Sequence, residues 1–404
     1  MKYDMEYAPA REMIVSFVEA VETERVDLDM CGGRILAAEL TASENVPAFD
    51  RSPYDGYAFR AEDTKGASRD HPVTLAITEE IPAGSVPTKA VTPGTAAKIL
   101  TGAPVPEGAD AVIMYEKTEF TETEVSIFSE CTAGDNIIYA GEDVKAGTVL
   151  AEKGTLIDPG LAGTLAAQGE IRPLVYRKPV AGIISTGSEV TDNPGEVPAG
   201  MIRNTNRYSL AAALQKDGCE TVYLGLVGDR VKDISRLISE GLKKCDLIVL
   251  TGGVSAGDYD LTPQAMEAAG CELLFKGVRI KPGMACCYGM AEGKPVCGLS
   301  GNPSSSLINY YTVLRPAVRK MTGLKSFMPA ETEFTLTEGF GKKSRHTRVI
   351  KGRVRYESGQ VMLDIPKGQG NVVISSSIGC DGLAVVPEGT DTSKPGAVLR
   401  GFII

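Results

Sequence analysis

Three stretches of the chain set hydroxyls, carboxylates and glycines directly behind short apolar runs. Residues 246–260 read DLIVLTGGVSAGDYD, so that an apolar run is followed by Gly252 and Gly253 and then by Ser255, Asp258 and Asp260. Residues 179–184 lead into STGSE, which holds Thr186, Gly187 and Glu189. Residues 294–299 lead into SGNPSSS, which holds Gly301, Asn302, Pro303 and Ser304. A short apolar run rich in strand formers reads as a strand buried on both faces. Glycine after it lets the backbone approach a ligand, because no Cβ stands in the way. Pro303 or a neighbouring serine would start a helix whose free N–H groups point at an anion. In open α/β sheets the ligand crevice lies outside the carboxyl ends of the strands. The three strand ends therefore read as one anion-binding site.

The elements that must position these groups follow from the pattern around them. Between about residues 178 and 323, strands alternate with amphipathic helices, near 205–217 (stopping at Gly218) and at 232–244, which implies a largely parallel sheet. A further strand at 221–226 ends at Gly228 and Asp229. Upstream, residues 9–21 read as an amphipathic helix, and 45–59, with two prolines and an Asp-Gly step, as a loop with fixed turns. Residues 72–140 alternate short apolar runs with Pro- and Gly-rich turns, as a small all-β domain does. After Gly323 the helices stop, and strands are expected at 332–337, 348–356 and 361–365. The fold class is multidomain α/β: a central α/β domain (178–325), small β domains at 46–143 and 326–404, and a discontinuous N-terminal helical or linker domain (1–45 with 144–177). Arg345, His346, Arg348, Lys351, Arg353 and Arg355 form a basic run that suits either a solvated strand face or an anion contact.

Composition narrows the function. The chain has 404 residues and a net charge of −10, which argues against nucleic acid as its main partner. Only His71 and His346 are present, so a His-centred triad or a multi-His zinc site is excluded. Nine cysteines include no CxxC pair, although Cys286 and Cys287 are adjacent. With no signal pattern and no long apolar span, free thiols in a reducing cytoplasm and no membrane partner are expected. Cys286 and Cys287 read as core residues of a strand before Gly289.

Seven motifs in register resemble one family. They are SPYDGYA around Asp55, TGAPVPEGADAV from Thr101, GEDV holding Asp143, STGSE ending at Glu189, TGGVS at 251–255, KPG from Lys281, and GLSGNP ending at Pro303. Together, and through essentially the whole chain, they resemble the molybdopterin molybdotransferases, the MoeA type also found as the C-terminal part of gephyrin. The resemblance implies insertion of molybdate into adenylylated molybdopterin with release of AMP, in molybdenum cofactor biosynthesis. It implies a four-part protomer, a homodimer with the site at the protomer boundary, and hand-over of substrate from a molybdopterin adenylyltransferase. Carried over by position, its functional residues are Asp55, Thr101, Asp143, Glu189, Asp229, Asp260, Lys281 and Pro303. The chain departs from the pattern at Ser188, where members often have Asp, and at Ser300, where they often have Pro. A lysine that some members carry before the Lys-Pro-Gly motif is matched here by Gly277, with Lys276 one residue early.

The residues suit this chemistry in their own right. Acids such as Asp229 and Asp260 would repel a pyrophosphate unless a hard cation lies between them, and Mg²⁺ held by one or two carboxylates plus phosphate oxygens fits. Lys281 offers a compact positive charge for phosphate or molybdate. Glu189 suits metal holding or proton steering. Asp229 equally suits the cap of the helix that follows it. Two alternatives remain open at this point: a molybdopterin adenylyltransferase built on the same α/β segment, and a gephyrin-like scaffold.

Overall fold

The computed structural model describes residues 1–255, 261–341, 346–392 and 394–404. Asp258, Asp260 and Arg345 lie outside the described residues. The chain divides into two compact units. One is made of Met1–Ala38, Lys153–Ala162 and Arg172–Ile404, the other of Glu39–Glu152 and Gly163–Ile171.

The first unit is organised on a seven-stranded sheet. Its order is Lys2–Met5, Glu272–Val278, Cys286–Ala291, Lys294–Leu299, Leu247–Thr251, Val180–Thr186, Glu220–Val227. Cys286–Ala291 runs antiparallel to both its neighbours, and the other pairings are parallel. The middle strand shows why its sequence is apolar throughout. Leu247 and Val249 pack on one face with Ile183, Leu210 and Leu214, while Ile248 and Leu250 pack on the other with Ile238 and Met266. Side chains alternate across a strand, so a sheet covered by helices on both faces needs apolar residues at every position. Helices Tyr7–Ser16 and Thr205–Lys216 cover the first face, and Val231–Leu242 and Thr262–Ala268 the second.

Asp246 anchors the start of this strand. Its Oδ2 accepts from Arg177 NH1 at 2.6 Å and from the Val180 N–H at 2.7 Å, and its Oδ1 accepts from Arg177 NH2 at 2.7 Å. Burial alone would raise its pKa, but the Arg177 contact and the Val180 N–H outweigh that and hold it below the ordinary value.

Three elements depart from the expected ones. The N-terminal helix ends at Ser16 rather than near 21. Residues 2–5, too short to show a period, add a parallel strand at the sheet edge. The helix from Pro303 runs to Asn309, passes through a π-helical turn, Tyr310–Leu314, and resumes as Arg315–Met321. Pro316 supplies no N–H and crowds the carbonyl one turn back, so the regular ladder cannot pass it.

The C-terminal strands close on themselves. Thr347–Glu357 pairs with Gln360–Asp364, then follow Glu331–Leu336, Val398–Ile403 and Gly382–Val386, which pairs back with Thr347–Glu357. Closure leaves no open edge within this ring. A sixth short strand, Ile280–Lys281, lies parallel to it, with Lys281 opposite Arg348.

The second unit holds a six-stranded sheet in the order Ala111–Met114, Gly56–Phe59, Thr95–Ile99, Val73–Ile81, Glu124–Ile127, Thr118–Phe120. Gly56–Phe59, expected as loop, is an interior strand buried along its whole length. Tyr57 and Phe59 fill one apolar layer and Ala58 the other. A Cβ on Gly56 would fall on the Ile113 carbonyl, so only glycine admits this close strand pairing.

Candidate active site

The three strand ends meet, and they are stitched together by hydrogen bonds. Thr186 Oγ1 donates to the Thr251 carbonyl at 3.1 Å, and the Gly252 N–H donates to the Leu299 carbonyl at 3.0 Å. The helix that follows fixes the glycine pair: Thr262 Oγ1 donates to the Gly252 carbonyl at 2.8 Å and the Thr262 N–H to the Gly253 carbonyl at 3.0 Å. Gly252 has φ +101° and Gly253 φ +63°, and a Cβ on Gly252 would lie 2.6 Å from Thr186 Oγ1. Both the conformation and the space therefore require glycine there.

A cavity of about 670 Å³ opens over these ends. Thr186, Gly187, Glu189, Asp229, Gly252, Gly253, Ser255, Gly301, Asn302 and Pro303 all line it. Ser304, buried behind Pro303, does not. A second cavity of about 570 Å³ is lined by Lys276, Lys281, Pro282 and Gly283, and it shares Val254, Ser255, Ser300 and Asn302 with the first. The two strand-end loops are thus a common wall, with Glu189, Asp229 and Arg203 on one side and Lys276, Lys281 and Asp4 on the other. Lys276 and Lys281 line the same cavity, so the one-residue offset of Lys276 does not remove its charge from this region.

Asp229 does not cap its helix. Residue Arg230 occupies the cap of Val231–Leu242, with no side-chain hydrogen bond, while Asp229 Oδ2 accepts from the Ser188 N–H at 3.1 Å and from Ser188 Oγ at 3.0 Å. This leaves Asp229 Oδ1 without a hydrogen bond to the described residues, at the edge of the cavity. No group of three or more His, Cys, Asp or Glu converges as a metal cage among the described residues. A cation held by one or two carboxylates together with substrate oxygens needs no such cage.

Helix Pro303–Asn309 begins as its sequence implies, with Asn302 at the cap and Pro303 as the first residue. Asn206 braces the loop before it: Nδ2 donates to the Gly301 carbonyl at 2.8 Å, and Oδ1 accepts from Ser306 Oγ at 3.2 Å. The C-terminal barrel braces the helix itself. The Ser304 N–H donates to the Asn371 carbonyl at 3.0 Å, and Lys351 Nζ donates to Ser304 Oγ at 2.7 Å. The basic run thus has divided roles. Lys351 is buried, and Arg355 pairs with Glu357 and Asp364 on the solvated face. Arg348 lies over the Phe340 ring.

In the second unit, Thr101 donates both its N–H and its Oγ1 to Asp55 Oδ1, each at 2.7 Å. The backbone donor foremost, then the hydroxyl, holds the Asp55 pKa below its ordinary value. Asp143 is exposed and, among the described residues, makes no hydrogen bond to this pair; its own N–H donates to the Val46 carbonyl at 3.0 Å.

Sequence reasoning missed Asn204 and Asn206, and Val372 and Ile374 of the barrel, all of which line the first cavity. The Asn-Thr-Asn run before helix Thr205–Lys216 carried a signal, since Asn204 is its cap and accepts from the Arg207 N–H. The barrel residues sit in a loop with no motif.

Comparison with known proteins agrees with this geometry. Residues 5–169 match the MoeA N-terminal region (domain I and II), and residues 182–320 match a probable molybdopterin binding domain. A molybdopterin molybdenumtransferase of Bacillus subtilis is 37% identical over 398 residues, covering 97% of this chain and 92% of the relative. One of Staphylococcus epidermidis is 34% identical, covering 94% of this chain and 90% of the relative. The crystal structure of the molybdopterin biosynthesis moeA protein from Pyrococcus horikoshii OT3 superimposes with a TM-score of 0.85 at 30% identity, covering 99% of this chain and 100% of that one. The match over residues 5–169 answers the adenylyltransferase alternative, which rested on the α/β segment alone, and the near full-length transferase relatives favour the enzyme over the scaffold. With its full length aligned to them, the chain belongs to the MoeA-type molybdopterin molybdenumtransferase family.

Proposed function

We propose that this transferase inserts molybdate into adenylylated molybdopterin and releases AMP. One observation carries the reading: two of the three stitched strand ends form the shared wall of two cavities, with Glu189 and Asp229 lining the first and Lys276 and Lys281 lining the second. The nucleotide end of the substrate would lie on the Gly252, Gly253 and Asn302 backbone, where N–H groups and hydroxyls meet its phosphates. Lys281 would hold the oxyanion, whether phosphate or molybdate, from the second cavity. Thr186 and Thr262 would hold the loops in place through their hydrogen bonds to the Thr251 and Gly252 carbonyls. Mg²⁺ fits at Asp229, whose Oδ1 is unengaged, with Asp260 as its partner; bound there it would polarise the phosphoanhydride that breaks. Glu189 would steer a proton at the cavity rim. The dithiolene sulfurs of the pterin, not protein thiolates, would receive the molybdenum.

Asp55, Thr101 and Asp143 lie in the other unit, and we assign them to a cleft completed in a homodimer, with Asp55 of one protomer serving the loops of its partner. A four-part protomer, a cytoplasmic location and hand-over from a molybdopterin adenylyltransferase belong to the same proposal. Asp229→Asn tests the metal role. It should lose most AMP release in limiting Mg²⁺ while keeping its fold by circular dichroism. Release at the parent rate in limiting Mg²⁺ would remove Asp229 from the metal site.

A further inference from the structure

A third cavity, of about 220 Å³, lies apart from the cleft and shares no lining residue with it. Arg34, Arg177, Lys178, Lys216, Arg315 and Arg319 line it, against a single lining carboxylate, Asp217. The carboxylates that engage these cations are few. Glu24 takes Arg34, Glu22 and Asp246 take Arg177, and Asp217 takes Arg315 at 2.8 Å. Lys216 Nζ donates to the Ile404 carbonyl at 3.2 Å. Six cations thus line the cavity, and the four carboxylates engage only three of them, Arg34, Arg177 and Arg315.

Arg319 is the exception among the arginines. Its guanidinium is partly buried, and it makes no hydrogen bond or ion pair to any described residue. Burial, and then the neighbouring Arg315 charge, lower its pKa. The ordinary account is that Lys216 and Arg319, in the last turns of helices Thr205–Lys216 and Arg315–Met321, offset the partial negative charge of the helix ends. That explains the sign of the charge. It does not explain why an arginine stands half-buried beside another arginine with no carboxylate or carbonyl partner among the described residues, since charges withdrawn from water are ordinarily paired.

We propose that this cavity is a binding site for a small multivalent oxyanion of the phosphate class, with Arg319 its main ligand. A planar guanidinium fork matches two oxygens of such an ion, and Lys178 and Lys216 stand on the same wall. The volume holds a tetrahedral oxyanion with a few waters, each occupying about 30 Å³. The site joins residues 33–35, the linker after Tyr176 and two helix ends, so an occupied site would tie the N-terminal segment to the α/β layer.

The test is calorimetric titration of the full chain with inorganic phosphate in chloride buffer. The parent should show two classes of site, one in the cleft and one here. Arg319→Met should weaken one class roughly tenfold or more, as loss of a charge-assisted bidentate contact does, and Arg319→Lys should weaken it less. Lys281→Met should alter only the other class. Transferase activity of Arg319→Met should equal that of the parent, which separates this site from the cleft. Sulfate should compete in the Arg319 class and acetate should not. Identical isotherms for the parent and Arg319→Met, or loss of all binding in Lys281→Met, would overturn the proposal. If Arg319→Met does not fold, crystals of the parent soaked in selenate decide the matter: an anomalous selenium peak at Arg319 supports the site, and none overturns it.

Discussion

Lys351 Nζ lies 2.7 Å from Ser304 Oγ and 2.9 Å from the Val373 carbonyl, with the lysine 3% exposed. A buried ammonium on the barrel therefore holds the first turn of the helix that follows Asn302. Burial lowers the Lys351 pKa below the usual 10.5. Between the folded value and 10.5, the unfolded chain keeps a proton that the folded chain has released, so stability rises with pH in that window and this contribution is flat below it. Lys351→Met leaves Ser304 Oγ and the Val373 carbonyl without this donor. It should cost about 1–3 kcal/mol in urea melts at neutral pH, and the alkaline rise should vanish. A variant that melts like the parent, or keeps the rise, would show that the ammonium does not hold the helix.

Asp55 receives two hydrogen bonds on one oxygen from Thr101. Its folded pKa lies below the ordinary 3.8, so its contribution to stability is present above that value and is lost as pH falls through the folded one. Asp55 is therefore a carboxylate throughout the neutral range. Thr101→Val keeps the backbone donor and removes the hydroxyl. Carboxyl ¹³C NMR should show Asp55 titrating closer to the ordinary value than in the parent. An unchanged titration would mean that the hydroxyl contributes nothing to its charge state.

The thiols bear on where molybdenum can go. Cys31, Cys219, Cys245, Cys271, Cys286, Cys287 and Cys297 are buried, and Cys131 and Cys380 are half-buried. Burial pushes the Cys286 thiol up to about 12 and raises Cys287 further. Both stand on the strand Cys286–Ala291, as their sequence implied. Thiol titration with a disulfide reagent should label at most Cys131 and Cys380 in the native protein, and all nine after unfolding. Rapid native labelling of Cys286 or Cys287 would reopen the question of a protein thiolate ligand.

Mixed dimers probe the partner assignment. Asp55→Asn and Glu189→Gln should each be inactive. In a mixed dimer one cleft takes both defects and the other takes neither. Random exchange makes about half the dimers mixed, so about a quarter of parental activity should return on co-expression. Verified mixed dimers with no activity would place both residues in one protomer.

What the sequence could show depended on how each feature is encoded. The strands 247–250 and 294–299 were legible because a sheet covered on both faces writes itself as an unbroken apolar run. Gly252 and Gly253 were legible because only glycine tolerates that turn. Gly56–Phe59 was hidden, since two prolines and an Asp-Gly step just before it signalled a loop. The π turn at Tyr310–Leu314 was also hidden, because its residues keep the apolar period of a regular helix. Lys351 was the least legible. Within a basic run, nothing local marks that this residue turns inward, and its partners Ser304 and Val373 lie far from it in sequence.

The central claim is that the strand-end cleft exchanges the nucleotide of adenylylated molybdopterin for molybdenum. The most direct measurement is AMP release from that substrate, followed by chromatography in the presence of Mg²⁺, before and after molybdate is added. The account predicts AMP release that depends on molybdate, with molybdenum recovered in the pterin product in equal amount and both lost in Glu189→Gln. Absence of AMP release, or molybdenum recovered on the protein rather than on the pterin, would contradict it.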